Sequence, residues 1–96
     1  MLARVGTWEG GTAEGIKAAS EEMRSNVAQG PPPGMKSSGI TMLADAEGGR
    51  VLIIALFDNQ DDLTEAEAVL AEMNPPAGLG TRTSVVVYEV VADLRM

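Results

Sequence analysis

Ninety-six residues make one domain, near the small end of what folds alone, and the chain carries neither cysteine nor histidine. Those absences exclude a disulfide framework, a thiolate nucleophile or metal site, and the residue that most often serves as general base, pH switch or metal ligand. Seven basic against fourteen acidic residues leave a net charge of −7, which argues against nucleic acid or an anionic membrane as partner, since both need a basic surface.

Trp8, Phe57 and Tyr88 are the only aromatics, so the core must be aliphatic and thin. No basic stretch followed by a long apolar segment opens the chain. No signal peptide is therefore read, and the cytoplasm is the expected compartment.

Leu2–Trp8 reads as a first strand, closed by the turn residues Glu9-Gly10-Gly11. Thr12 is placed to cap a helix, with Glu14 in its first turn, and Ile16, Ala19, Met23 and Val27 recur as one apolar stripe. Gly30 and Pro31-Pro32-Pro33 stop that helix, and the prolines read as a stiff connector. Met35–Asp45 is a second strand, weak at its start, which suits a sheet edge. Asp45 to Gly49 fits a hairpin loop; with no helix after it, Gly48-Gly49 reads as a turn rather than a phosphate cradle.

Arg50–Phe57 is the longest apolar run, and its branched residues predict a strand buried on both faces. Asp58 or Asn59 caps the helix that follows, with Asp61 and Asp62 in its first turn. Leu63, Ala66, Leu70 and Met73 form its apolar stripe, and Pro75-Pro76 ends it. Asp61, Asp62, Glu65, Glu67 and Glu72 match no calcium loop and read as a solvated acidic face. Residues 76–81 read as loop, and Thr83–Leu94 as the last strand, rich in valine.

The order βαββαβ, with two right-handed crossovers, predicts a ferredoxin-like α+β fold. Its four-stranded antiparallel sheet runs fourth, first, third, second, with both helices on one face. Within the third strand, Val51, Ile53, Ala55 and Phe57 then point one way, and Leu52, Ile54 and Leu56 the other. Leaving five or six such side chains uncovered would forgo roughly 8–15 kcal/mol of burial, comparable with a domain's whole stability. A second copy packed sheet to sheet, as a two-fold homodimer, is the simplest cover.

The element order, the doubly apolar inner strand and the step Phe57-Asp58-Asn59-Gln60-Asp61-Asp62-Leu63 resemble the dimeric α/β-barrel superfamily over essentially the whole chain. Antibiotic-biosynthesis-monooxygenase-like domains are the most similar in length and layout. The resemblance implies a barrel formed by two sheets across the dimer, with a ligand cleft in each subunit between sheet and helices. It transfers no single activity, because the superfamily includes cofactor-independent oxygenases, haem degraders and isomerases. Haem degraders ligate iron through a histidine, alongside an Asn and a Trp. Trp8 and Asn26 are present here, but the absence of histidine excludes that route.

Cofactor-free oxygenation needs an arginine, an aromatic wall and a proton acceptor around an electron-rich substrate. Arg4, Trp8, Tyr88 and Glu89 lie on the first and last strands, which the topology makes neighbours, and form the candidate ligand-binding set. Each also has a purely structural role open to it. Trp8 can close one end of the core, Tyr88 can pack with its hydroxyl at the rim, and Arg4 can pair with Glu89. Tyr88 and Glu89 are adjacent and so point to opposite faces. Two functions stand: a cofactor-free oxygenase or isomerase acting on a small molecule, or a non-catalytic dimeric binding or assembly module. No metal and no cofactor is expected in either. An open cleft near Trp8 and Tyr88 favours the first, and one filled by Met23, Leu70 and Met73 the second.

Overall fold

The computed structural model describes residues 1–28, 36–72 and 78–93. Its elements are β1 (Leu2–Gly10), α1 (Ala13–Ala28), β2 (Gly39–Asp45), β3 (Arg50–Phe57), α2 (Gln60–Glu72) and β4 (Gly80–Glu89). The strands form one antiparallel sheet in the order β2-β3-β1-β4, so the fold is the ferredoxin-like α+β arrangement with β3 inside the sheet. No helix among the described residues is long and apolar enough to cross a membrane.

Local chemistry accounts for the helix starts. The Thr12 hydroxyl accepts the Gly15 N–H at 3.0 Å, and the Asn59 side-chain carbonyl accepts the Asp62 N–H at 2.9 Å. Both are N-caps that satisfy a donor the helix itself cannot. Ile16 and Ala19 of α1, and Leu63 and Ala66 of α2, are buried, while Met23 and Leu70 are half-buried. The expected stops at Gly30–Pro33 and Pro75-Pro76, together with Met35, Met73 and Leu94, lie outside the described residues.

The apolar side chains gather in two clusters on the helix side. Trp8, Ile16, Ala19, Val51 and Leu79 form one, and Ala55, Phe57, Leu63 and Ala66 the other. Val51 and Phe57 are wholly buried, one in each cluster, so β3 joins the two halves of the core. Leu79 lies in a stretch expected as loop, yet it is 1% exposed. Gly78, at φ 92°, lets the chain approach α1 so closely that a Cβ there would meet the Gly15 Cα at 2.5 Å. That approach seats Leu79 beneath Trp8 and Ile16 as part of one cluster.

Boundaries of three strands differ from expectation, with β1 running past Trp8 to Gly10. β2 begins at Gly39, because Ser37 and Ser38 bind the sheet through side chains as well as backbone. The Ser37 hydroxyl donates to the Leu56 carbonyl at 2.9 Å, and the Ser38 hydroxyl to the Asp58 carboxylate at 2.7 Å. β4 begins at Gly80 rather than Thr83, because β1 continues to Gly10 and pairs Glu9 with Thr81 and Gly10 with Gly80. It ends at Glu89, opposite Leu2, the first residue of β1. After a last backbone bond from the Val90 N–H to the Met1 carbonyl, Val91 runs on without a partner strand.

Cross-strand pairs point to the same face of a sheet, so the register assigns each row. Leu2, Arg4, Gly6 and Trp8 share the helix side with Val51, Ile53, Ala55 and Phe57. Ala3, Val5 and Thr7 share the other side with Leu52, Ile54 and Leu56, and with Tyr88, Val86 and Ser84 of β4. Among the described residues α1 packs on β2, and α2 on β1 and β3. Every residue of β4 is exposed, including Val85 and Val87 on the helix side.

Candidate functional site

Alternation along β1 places Arg4, Gly6 and Trp8 in one row on the helix side. Gly6 leaves room for the indole ring of Trp8: a Cβ at Gly6 would meet ring atoms Cη2 and Cζ3 at 2.8 Å. The ring therefore lies back over Gly6, toward Arg4, while the residue remains 8% exposed in the core.

Arg4 is held differently. Its side chain is 14% exposed, and no hydrogen bond among the described residues uses its guanidinium. Its one ion-pair partner among the described residues is Glu67 of α2, whose Oε1 lies 3.9 Å from Nε, beyond hydrogen-bonding distance. Burial lowers the Arg4 pKa from its ordinary value; Glu67 opposes that shift and the Arg82 cation adds to it. Arg4 is therefore a cation that the protein desolvates without supplying acceptors.

Arg82 reaches the same row through an irregularity. In an unbroken strand it would share a face with Ser84 and Val86. The ladder shifts register between Thr7 and Trp8, so Ser84 stays opposite Thr7 while Arg82 comes opposite Trp8. A bulge of this kind re-aims a side chain to the other face. Val85 lies opposite Gly6, between the levels of the two arginines, and Val87 lies opposite Arg4.

The four residues singled out in the sequence divide between faces. Arg4 and Trp8 share the helix side with Glu89, which sits opposite Leu2. Tyr88, opposite Ala3, lies on the uncovered side and is 55% exposed. Arg4 pairs with Glu67 rather than Glu89, because α2 lies across β1 and carries Glu67 to it. Trp8 does close one end of the core.

The groove between α1 and β2 holds about 330 Å³ and is lined by Ser20, Met23, Arg24, Ile40, Met42 and Ala44. Met23 lines this groove rather than filling it. The Ser20 hydroxyl there already donates to the Lys17 carbonyl at 2.8 Å. Ser20, Arg24 and Arg82 were not singled out from the sequence. Helical spacing from Met23 was the available signal for Ser20, whereas Arg82 depends on a bulge that only strand pairing reveals. Among the described residues no three His, Cys, Asp or Glu side chains gather as metal ligands.

Compared with protein-family models, curated proteins and solved structures, the chain matches none. What is shown is the architecture alone: a ferredoxin-like sheet with both helices on one side.

Proposed function

We propose that this protein is a small-molecule-binding homodimer of the dimeric α/β-barrel type, similar to antibiotic-biosynthesis-monooxygenase-like domains. The supporting observation is the sheet face opposite the helices. Val5, Leu52, Ile54, Leu56, Leu43, Val86 and Tyr88 lie together there, interspersed only with Ala3, Gly39 and the uncharged Thr7, Thr41 and Ser84 away from the charged end, and neither helix covers them. Ionisable acids and bases on it are confined to one end, where Glu9 and Arg50 approach to 3.6 Å beside Asp45. In a chain of net charge −7, a second, equally acidic copy meets little repulsion on this surface. A patch of this kind marks an interaction surface.

Cofactor-independent oxygenation is the catalytic form of this reading, with Arg4 and Trp8 on the helix side as its binding residues. The position of Tyr88 on the other face favours the second form, a non-catalytic dimeric binding or assembly module, since the aromatic wall is then incomplete within one subunit. Oxygen uptake with electron-rich dihydroxyarenes separates the two: consumption above the protein-free rate supports the enzyme, and none supports the module. Val86→Lys tests the assembly. The exposed position accepts lysine in a single chain, but an apolar interface does not, so the variant is expected to be folded and monomeric.

A further inference from the structure

We propose that Arg4 and Arg82 form an anion site on the flank of α2, which takes a small organic carboxylate whose apolar body lies on Val85 and Val87. The inference rests on the small-molecule reading above and names the class of ligand.

Four observations converge on this place. Arg4 is largely withdrawn from water, and its Nε is sealed without a hydrogen-bond partner among the described residues. A desolvated cation of this kind is costly unless acceptors reach it. Glu67 does not meet that need, being 3.9 Å away with a side chain 50% exposed and free to face water instead. The Arg82 side chain makes no ion pair or hydrogen bond among the described residues, and the register shift turns it onto the Arg4 row. A weakly paired cation beside one with no ion pair among the described residues is unexpected in a chain with twice as many acids as bases.

The geometry also selects the ligand. Guanidinium groups bind carboxylates through paired, charge-assisted hydrogen bonds. On β4, Val85 lies between the levels of the two arginines and Val87 lies beside Arg4, both exposed although they are on the helix side. They offer an apolar floor that inorganic phosphate would leave unused. Trp8 stands in the same row, opposite Arg82, with its ring over Gly6, so the only tryptophan reports on the site.

The test uses the full chain and follows Trp8 fluorescence and the thermal midpoint during titration with cyclohexanecarboxylate, cyclohexanecarboxamide and inorganic phosphate. The carboxylate is expected to give a saturable emission shift and a raised midpoint at millimolar concentration. The carboxamide and phosphate are expected to give neither. Arg4→Met and Arg82→Met should each weaken carboxylate binding by about tenfold or more. Arg82 is exposed, so its variant keeps the test decisive if Arg4→Met fails to fold. Equal binding of carboxylate and carboxamide would overturn the anion site while leaving a small-molecule site in place. Phosphate binding as tight as the carboxylate's would overturn the role given to Val85 and Val87. Absence of any response, or unchanged affinity in Arg82→Met, would overturn the proposal, and the solution mass would still report separately on the dimer.

Discussion

The indole of Trp8 occupies the space that a side chain at Gly6 would fill, two residues away on the same strand. The ring is not a flexible tip that can swing aside, because Ile16, Ala19, Val51 and Leu79 pack around it. Gly6→Ala must therefore move the ring or the strand. Alanine recovers roughly 0.5–1 kcal/mol of backbone entropy relative to glycine, whereas overpacking costs about 1–3 kcal/mol. A net loss of roughly 1–2 kcal/mol is expected in urea unfolding, with a red-shifted Trp8 emission in the folded state. A stabilised variant would mean that the ring has room to yield.

Arg4→Met removes a poorly compensated cation and keeps most of the volume of its stem. Replacing buried charge with an apolar side chain of similar size is often neutral or stabilising. A change between zero and about 2 kcal/mol of added stability is expected from chemical denaturation. The effect should be flat across neutral pH, as the sign of the pKa shift requires. Burial lowers the folded-state pKa of Arg4, so the unfolded chain holds that proton more tightly. The penalty on folding is then present in full below the folded pKa and fades only as pH rises through the shifted range, in strong alkali. A large loss of stability at pH 7 would instead make the contact with Glu67 a structural ion pair.

Asn59→Ala deletes the acceptor that caps α2 at the Asp62 N–H. It also frees Asp62 from the Asn59 amide, which donates to its carboxylate at 3.3 Å. A loss of about 1 kcal/mol is expected, with faster amide exchange confined to the first turn of α2. Unchanged exchange there would show that Asp58 or solvent takes over the cap.

Gly78→Ala addresses the seat of Leu79. The position has φ 92°, and an added Cβ would press on the backbone of Gly15 at 2.5 Å. Backbone cannot rotate away as a side chain can, so α1 or the 78–80 turn must shift. A loss of roughly 2–4 kcal/mol is expected, from positive-φ strain together with a disturbed core. A loss below that of Gly6→Ala would contradict this packing.

Features set by local chemistry were legible in the sequence. The bounds of β3, the Thr12 and Asn59 caps, the sheet order and the division of β3 between two faces all follow from periodicity, cap residues and crossover handedness. What stayed hidden depends on distant pairing. β4 starts at Gly80 only because β1 runs on to Gly10, and Arg82 changes face only because the ladder shifts at Trp8. Leu79, flanked by glycines, has no periodic pattern to mark it as core. The candidate site shows the same boundary. Alternation separated Tyr88 from Glu89, but the face each occupies is set by register against Ala3 and Leu2, and the partner of Arg4 by how α2 crosses the sheet.

The proposed dimer covers the apolar face of the sheet with a second copy of the chain. Light scattering coupled to size exclusion, run on the wild-type chain at micromolar concentrations, tests it most directly. The expected mass is twice the 10.0 kDa of one chain. A stable, soluble species of 10.0 kDa under those conditions would contradict it.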